Sequence, residues 1–327
     1  MDREALKEKL VGVVVSLPTF CDHEHRVQIA PFRRHVRWLI ERGIRTGSGV
    51  LLGAGGLGEG YFLTDDEFRA LTEALVEEAA GRVPTMVGIF DLNTREAARK
   101  AQYAASVGVD FIQLAPPHYM LPSEEDILTH FRHVHDAAPI GIMAYHTPWA
   151  MPAPGYEFSP RLLERFLELE RIVGIKWASY DVWHYTSILR LFSDRFAFID
   201  NMLILSLGFR LGAVGFIDFF ANVAPRLSLT FWELLRQRRY DEFDAMYLRL
   251  RFDPFIRLIR PEQQRWIGVG EGPTSRLWLR LFGMETGPVF PPQAPLSPEY
   301  EEAARRALEH SGLREWVEWG PEILAGE

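Results

Sequence analysis

Short apolar runs alternate with stretches of helical periodicity along the chain as far as residue 240. Eight runs read as strands: Val11–Leu17, Gly49–Gly53, Thr85–Phe90, Phe111–Ala115, Gly141–Tyr145, Val173–Trp177, Phe196–Ile199 and Ala213–Ile217. Each is rich in Val, Ile, Leu or Phe and lacks the alternation of a strand with one wet face, so burial on both faces is expected. Helical signals lie between them. Phe32, Val36, Leu39 and Ile40 recur at helical spacing. Thr64-Asp65-Asp66-Glu67 has the spacing of a capping box, and Asn93-Thr94-Arg95-Glu96 fits a second cap. Ser159 precedes a proline at a first helical position, and Asp181 can cap the helix that follows the sixth strand. Eight βα repeats of about 20–35 residues predict an α/β chain folded as a (β/α)8 TIM barrel, with a doubly wound sheet as the main alternative.

The pattern changes near residue 240. Beyond it the chain reads as helical (Tyr240–Ile259, Ser275–Phe282, Pro298–His310), with a proline-rich link, "GPVFPPQAPLSP". The expected organisation is a barrel over 1–239 and a C-terminal helical appendage over 240–327.

Composition narrows the function classes. Of 327 residues, 47% are apolar and 24% charged, ordinary for a globular protein. The net charge of −8, with acids and bases interspersed, offers no basic field for nucleic acid or an anionic membrane. A single cysteine, Cys21, excludes an internal disulfide framework. The opening segment, "MDREALKEKL", is charged and lacks a leader-like apolar core, and no apolar stretch reaches membrane-spanning length. A cytoplasmic protein is expected.

One residue breaks the pattern. The chain has four lysines, and the other 32 of its 36 basic residues are arginines. Yet "VGIKWASYD" places Lys176 inside an apolar strand. In a barrel it would lie near the C-terminal end of strand six, where such barrels build their active sites. Burial disfavours the ammonium, and a neutral amine is a nucleophile that condenses with carbonyls. Arginine has no such chemistry, because its guanidinium stays protonated. The structural alternative is a lysine that pairs with a buried carboxylate or snorkels to the barrel mouth.

The second strand runs into "GAGGLGEGYFLTDDE". Gly53, Gly55 and Gly58 satisfy G-x-G-x-x-G, the dinucleotide fingerprint. That motif needs a helix opening at its last glycine, whereas Glu59 to Leu63 intervene before the cap at Thr64. The favoured reading is a loop whose backbone N–H groups form an anion nest fit for a small carboxylate; a tight turn without a ligand is the alternative. Tyr145 ends strand five and can relay protons to a neighbouring imine, or can simply pack. His118, Tyr119, His146, Trp149, Tyr180 and Trp183 lie at strand ends, where they would line a ligand rim or a subunit interface. "CDHEHR" lacks the spacing that sets two imidazoles on one helical face, so no metal is expected, and Cys21 carries no nucleophile signature.

Several of these motifs together resemble the dihydrodipicolinate synthase and N-acetylneuraminate lyase family of class I, Schiff-base aldolases, over residues 12–313. "GGLGE" at Gly55–Glu59, with Leu63-Thr64, is similar to its carboxylate-binding loop. "PPHYMLP" is similar to its strand-four segment, where Tyr119 matches a tyrosine near the dimer interface. "YHTP" resembles Y-N-x-P, so Tyr145 matches the proton-shuttling tyrosine. "GIKWAS" resembles G-x-K-x-x-S/T, so Lys176 matches the Schiff-base lysine. "GAVGFIDFFANVAP" and "GPVFPP" resemble the strand-eight segment and a C-terminal G-P-V-R-P-P.

The resemblance implies a barrel with a C-terminal helical domain, commonly a homotetramer of tight dimers, acting without a cofactor through a covalent imine on Lys176. It implies a 2-keto acid substrate, such as pyruvate or a keto-deoxy sugar acid, held by Gly56, Leu57 and Gly58, with Tyr119 and His146 nearby. The chain also departs from the family. Gly56 and Leu57 stand where two hydroxyl residues are usual, His146 where asparagine is usual, and Ala150 where the synthases carry an arginine. These departures argue against dihydrodipicolinate synthase activity itself. The loop is closer to those of sugar-acid dehydratases, and Leu57 with an aromatic rim is similar to aromatic hydratase-aldolases. The expectation is a lyase, aldolase or dehydratase. The alternative from another class is a non-catalytic or regulatory homologue that binds a carbonyl ligand. A nicotinamide-dependent oxidoreductase rests on the glycine spacing alone.

Overall fold

A computed structural model shows a closed barrel of eight parallel strands in chain order. It describes residues 2–148, 157–250, 271–320 and 323. The strands are β1 (Gly12–Ser16), β2 (Gly49–Gly53), β3 (Thr85–Ile89), β4 (Phe111–Leu114), β5 (Gly141–Tyr145), β6 (Ile172–Trp177), β7 (Ala197–Asp200) and β8 (Gly215–Asp218). β1 pairs with both β2 and β8, which closes the sheet and excludes the doubly wound alternative. All eight predicted strands are present, most displaced by a residue or so at one end.

Side chains alternate between two apolar compartments. Val13, Val15, Leu51, Val87, Ile112, Ile142 and Ile175 point out, beneath the helices. Val14, Val50, Leu52, Met86, Phe111, Met143 and Val173 point in and fill the barrel. With both faces apolar, these strands show no polar alternation in sequence. The short helix α1 (Arg3–Lys9) closes the N-terminal end, because Leu6 and Leu10 join the interior cluster. The interior is therefore packed below and turns polar only near the C-terminal strand ends.

The outer ring comprises α2 (Ile29–Glu41), α3 (Asp65–Ala79), α4 (Thr94–Val107), α5 (Glu124–Ala137), α6 (Pro160–Phe166), α7 (Val182–Phe192), α8 (Leu205–Arg210) and α9 (Pro225–Arg236). The expected caps form. Thr64 and Glu67 make a reciprocal capping box, and Asn93, Ser159 and Asp181 each accept a backbone N–H. Each such cap is worth about 1 kcal/mol and fixes where the preceding loop ends.

Three further helices follow: α10 (Tyr240–Arg249), α11 (Glu271–Leu281) and α12 (Pro298–Glu309). The part of the predicted Tyr240–Ile259 helix beyond residue 250 lies outside the described residues. α11 begins four residues before its predicted start. Gly272 and Pro273 read as a break, but proline is tolerated in a first turn, where its missing N–H has no intrahelical partner. Among the described residues, no helix is long and apolar enough to cross a membrane.

Candidate active site

Lys176 reaches the barrel interior because of an irregularity in β6. Ile142 pairs with Ile172, but Met143 pairs with Gly174, which leaves Val173 as an extra residue. A one-residue bulge reverses the facing of everything beyond it. Val173 points in, yet Ile175 and Trp177 point out, so Lys176 between them points in. Without the bulge, Trp177 would enter the barrel and the lysine would meet the helices. Lys176 is 4% exposed. Its Nζ lies 3.8 Å from the ring centre of Tyr145, its register partner on β5. Burial lowers the lysine pKa from 10.5 to about 8, against the pull of the Glu271 carboxylate.

The glycine loop after β2 lies at the same end of the barrel. Ala54 (φ 48°) and Glu59 (φ 54°) both adopt left-handed backbone, an unfavourable conformation for residues with a Cβ. Between them, Glu59 N–H donates to Gly56 O at 3.0 Å and Gly60 N–H to Gly55 O at 3.1 Å. The Thr19 hydroxyl holds Gly58 O at 2.5 Å. Gly58 and Gly60 must lack a side chain, since a Cβ would overlap the carbonyls of Leu17 and Ala54. Among the described residues, the N–H groups of Gly56, Leu57 and Gly58 find no acceptor. Three adjacent free amides make an anion-binding concavity.

Glu59 does not face this concavity. It is 1% exposed and paired with Arg276 of α11, whose Nε and Nη2 lie 2.7 and 2.6 Å from Glu59 Oε2. Arg276 Nη1 also donates to Thr286 O at 2.6 Å. Helix α11 thus clamps the loop from above. The 3₁₀ turn Gly60–Phe62 separates the last glycine of the motif from α3, so no helix opens at Gly58 as dinucleotide binding needs.

Tyr145 is 2% exposed, and burial, with Glu271 and Tyr61 nearby, pushes its phenol pKa well up. Its hydroxyl donates to Glu271 Oε1 at 3.5 Å. Glu271, the first residue of α11, carries no sequence motif and was not an expected site residue. Only its place after the strands, in a helix whose start the glycine and proline conceal, connects it to the barrel mouth. Its other oxygen lies against Gly56, where a Cβ would overlap it.

Lys176, Tyr145, Gly56, Leu57 and Gly58 therefore share one end of the barrel, where two expected residues are placed differently. His146 follows Tyr145 and so points outward. It is 1% exposed, stacked on Trp177, and its Nδ1–H donates to Ala178 O at 2.5 Å. Burial drives its pKa down to about 3, so the ring is neutral and structural in place of a substrate ligand. Tyr119 is 86% exposed on the β4–α5 loop. Trp149 and Ala150 lie outside the described residues. In "CDHEHR", Asp22 caps a tight turn by accepting the N–H groups of Glu24 and Arg26. No metal-binding group of three or more His, Cys, Asp or Glu occurs among the described residues. Cys21 is buried with Sγ 3.3 Å from Pro288 O, and burial raises its thiol pKa.

Comparison with known proteins points to one family in sequence and to its fold among solved structures. Residues 9–311 match the model of the Dihydrodipicolinate synthetase family. A 4-hydroxy-tetrahydrodipicolinate synthase of Methylobacterium radiotolerans is 31% identical over 285 residues, covering 87% of this chain and 90% of the relative. One of Methanothrix thermoacetophila is 31% identical over 279 residues, covering 84% and 88%. Among solved structures, YagE of E. coli K12, a member of the dihydrodipicolinic acid synthase family crystallised with pyruvate, superposes with a TM-score of 0.78. It is 22% identical, over 91% of this chain and 97% of that one.

Proposed function

This chain belongs to the dihydrodipicolinate synthetase family, and on that footing we propose that it is a Schiff-base lyase acting on a 2-keto acid. The observation that carries the reading is the buried Lys176 amine, set over Tyr145 at the same barrel end as three amides that find no acceptor among the described residues. The substrate carboxylate sits on the N–H groups of Gly56, Leu57 and Gly58. Lys176 attacks the keto carbon and loses water to give an iminium, which draws electrons from the adjacent carbon. Carbon–carbon cleavage, its reverse, and loss of a β-hydroxyl are all open to that intermediate. Tyr145 moves the proton. No metal or organic cofactor enters this chemistry. Gly56 and Leu57 leave the nest without hydroxyls, which favours a lyase other than a dihydrodipicolinate synthase.

Incubation with pyruvate and longer 2-keto acids, borohydride reduction and a peptide map tests this directly. A reduced adduct on Lys176 is the expected result, and Lys176→Arg should abolish it with the fold intact. Binding without an adduct or turnover across the panel would favour a non-catalytic carbonyl binder instead. The neighbouring Tyr119, Met120 and Leu121 are exposed at 86%, 50% and 59%. This supports a homo-oligomer, dimer or tetramer, that covers them, and light scattering on the eluted protein measures it.

A further inference from the structure

Glu271 lies outside the strands and loops of the barrel, yet its carboxylate faces two parts of the site. Oε1 accepts from the Tyr145 hydroxyl at 3.5 Å. Oε2 lies against Gly56, at a spot open only because that residue has no Cβ. Tyr145 in turn lies beside the Lys176 amine, 3.8 Å from ring centre to Nζ. Tyr145 of β5 thus touches both the Lys176 amine of β6, over its ring, and the Glu271 carboxylate of α11, through its hydroxyl. A phenol contact of 3.5 Å is long for a finished hydrogen bond, but such contacts tighten when substrate closes the site.

Building on the Schiff-base reading, we propose that Glu271 stores the proton Lys176 must shed before it attacks, receiving it through Tyr145 and returning it to the departing water. The lysine pKa of about 8 leaves the amine mostly protonated at neutral pH, so a local acceptor is needed. The steps balance. The ammonium passes one proton through the phenol to the carboxylate, leaving a free amine and a carboxylic acid. The amine forms the C–N bond, the carbonyl π pair moves to oxygen, and a nitrogen proton reaches that oxygen through the phenol. The carboxylic acid then returns its proton through the phenol to the hydroxyl, the C–O bond breaks, water leaves, and the nitrogen lone pair completes the iminium. Ammonium, carboxylate and carbonyl have become iminium, carboxylate and water. Glu271 acts through Tyr145 and does not bond the substrate.

The charged and titratable groups around Glu271 are Tyr145 of β5, Lys176 of β6, Tyr61 of the turn after β2, and the Glu59–Arg276 pair, which abuts Gly272. The test is the rate at which the full chain forms the borohydride-trapped pyruvate adduct on Lys176, followed from pH 6.5 to 8. With Glu271 in place, the proton moves within the site, so the wild-type rate should vary by no more than about threefold. Glu271→Gln should slow trapping about 100-fold at pH 6.5. Its rate should climb with pH in step with the free-amine fraction. Gly56→Ala keeps the loop amides and needs no left-handed backbone, but its methyl displaces the carboxylate. It should reproduce both effects. Wild-type rates and a flat profile in both variants would overturn the role of Glu271 while leaving the imine standing. The absence of any adduct on the wild-type chain would overturn the Schiff-base reading and this inference with it.

Discussion

Replacing Lys176 by methionine should stabilise the protein while destroying its chemistry. The side chain is 4% exposed, and burial brings its pKa from 10.5 to about 8. That fall corresponds to a penalty of about 3 kcal/mol on the buried ammonium. The Tyr145 ring 3.8 Å away returns about 1–2 kcal/mol as a cation–π contact. Methionine has nearly the same shape and carries no charge, so the variant should gain about 1–2 kcal/mol at pH 7.

The pH dependence separates this cause from simple repacking. Below pH 8 the lysine is protonated in both folded and unfolded chains, and the whole penalty is present. Between pH 8 and 10.5 the unfolded chain holds a proton that the folded one has released. Wild-type stability therefore rises with pH relative to the variant, and the penalty disappears. Urea unfolding of both proteins at intervals from pH 7 to 10.5 measures the gap. The predicted gap is constant below pH 8 and closes above it. A methionine variant less stable than wild type at pH 7, or a gap that ignores pH across that window, would refute the argument.

Other outcomes follow from the same geometry. Arg276→Met leaves the Glu59 carboxylate buried without its partner and should cost about 3–5 kcal/mol in urea unfolding; a loss below 1 kcal/mol would show that the clamp on the glycine loop is energetically idle. Tyr145→Phe keeps the packing against Phe90 but removes the hydroxyl, so trapping on Lys176 should slow by about 10²–10⁴-fold without losing its site, and a wild-type rate would remove the phenol from the reaction.

The barrel was readable because its signal is repetitive. Eight apolar runs, each followed by a cap, leave little freedom in topology, and the capping residues even fix the loop ends. Lys176 was readable because a buried amine contradicts its surroundings. Its direction was not, since the bulge at Val173 is a feature of pairing between β5 and β6, and no residue type marks it. His146 was misplaced by motif reasoning where alternation alone would have served: a residue that follows an inward Tyr145 points outward. Glu271 was invisible for a different reason. Its proposed role depends on contacts with Tyr145 and Gly56, 126 and 215 positions away in the chain, and a single sequence holds no record of such distances.

Helix α11 ties these observations together. Five residues apart, it carries Arg276, which fixes Glu59 and so holds the loop in its left-handed conformation, and Glu271, which enters the space that Gly56 leaves open. The first contact shapes the nest and the second supplies charge beside the amine. Any shift of the helix moves both together, so loop geometry and the electrostatics at Lys176 cannot vary independently. In the proposed mechanism the barrel provides the nucleophile and the phenol, and α11 holds the nest and provides the proton acceptor. On that reading helix α11 belongs to the proposed active site as fully as the strand that carries the lysine.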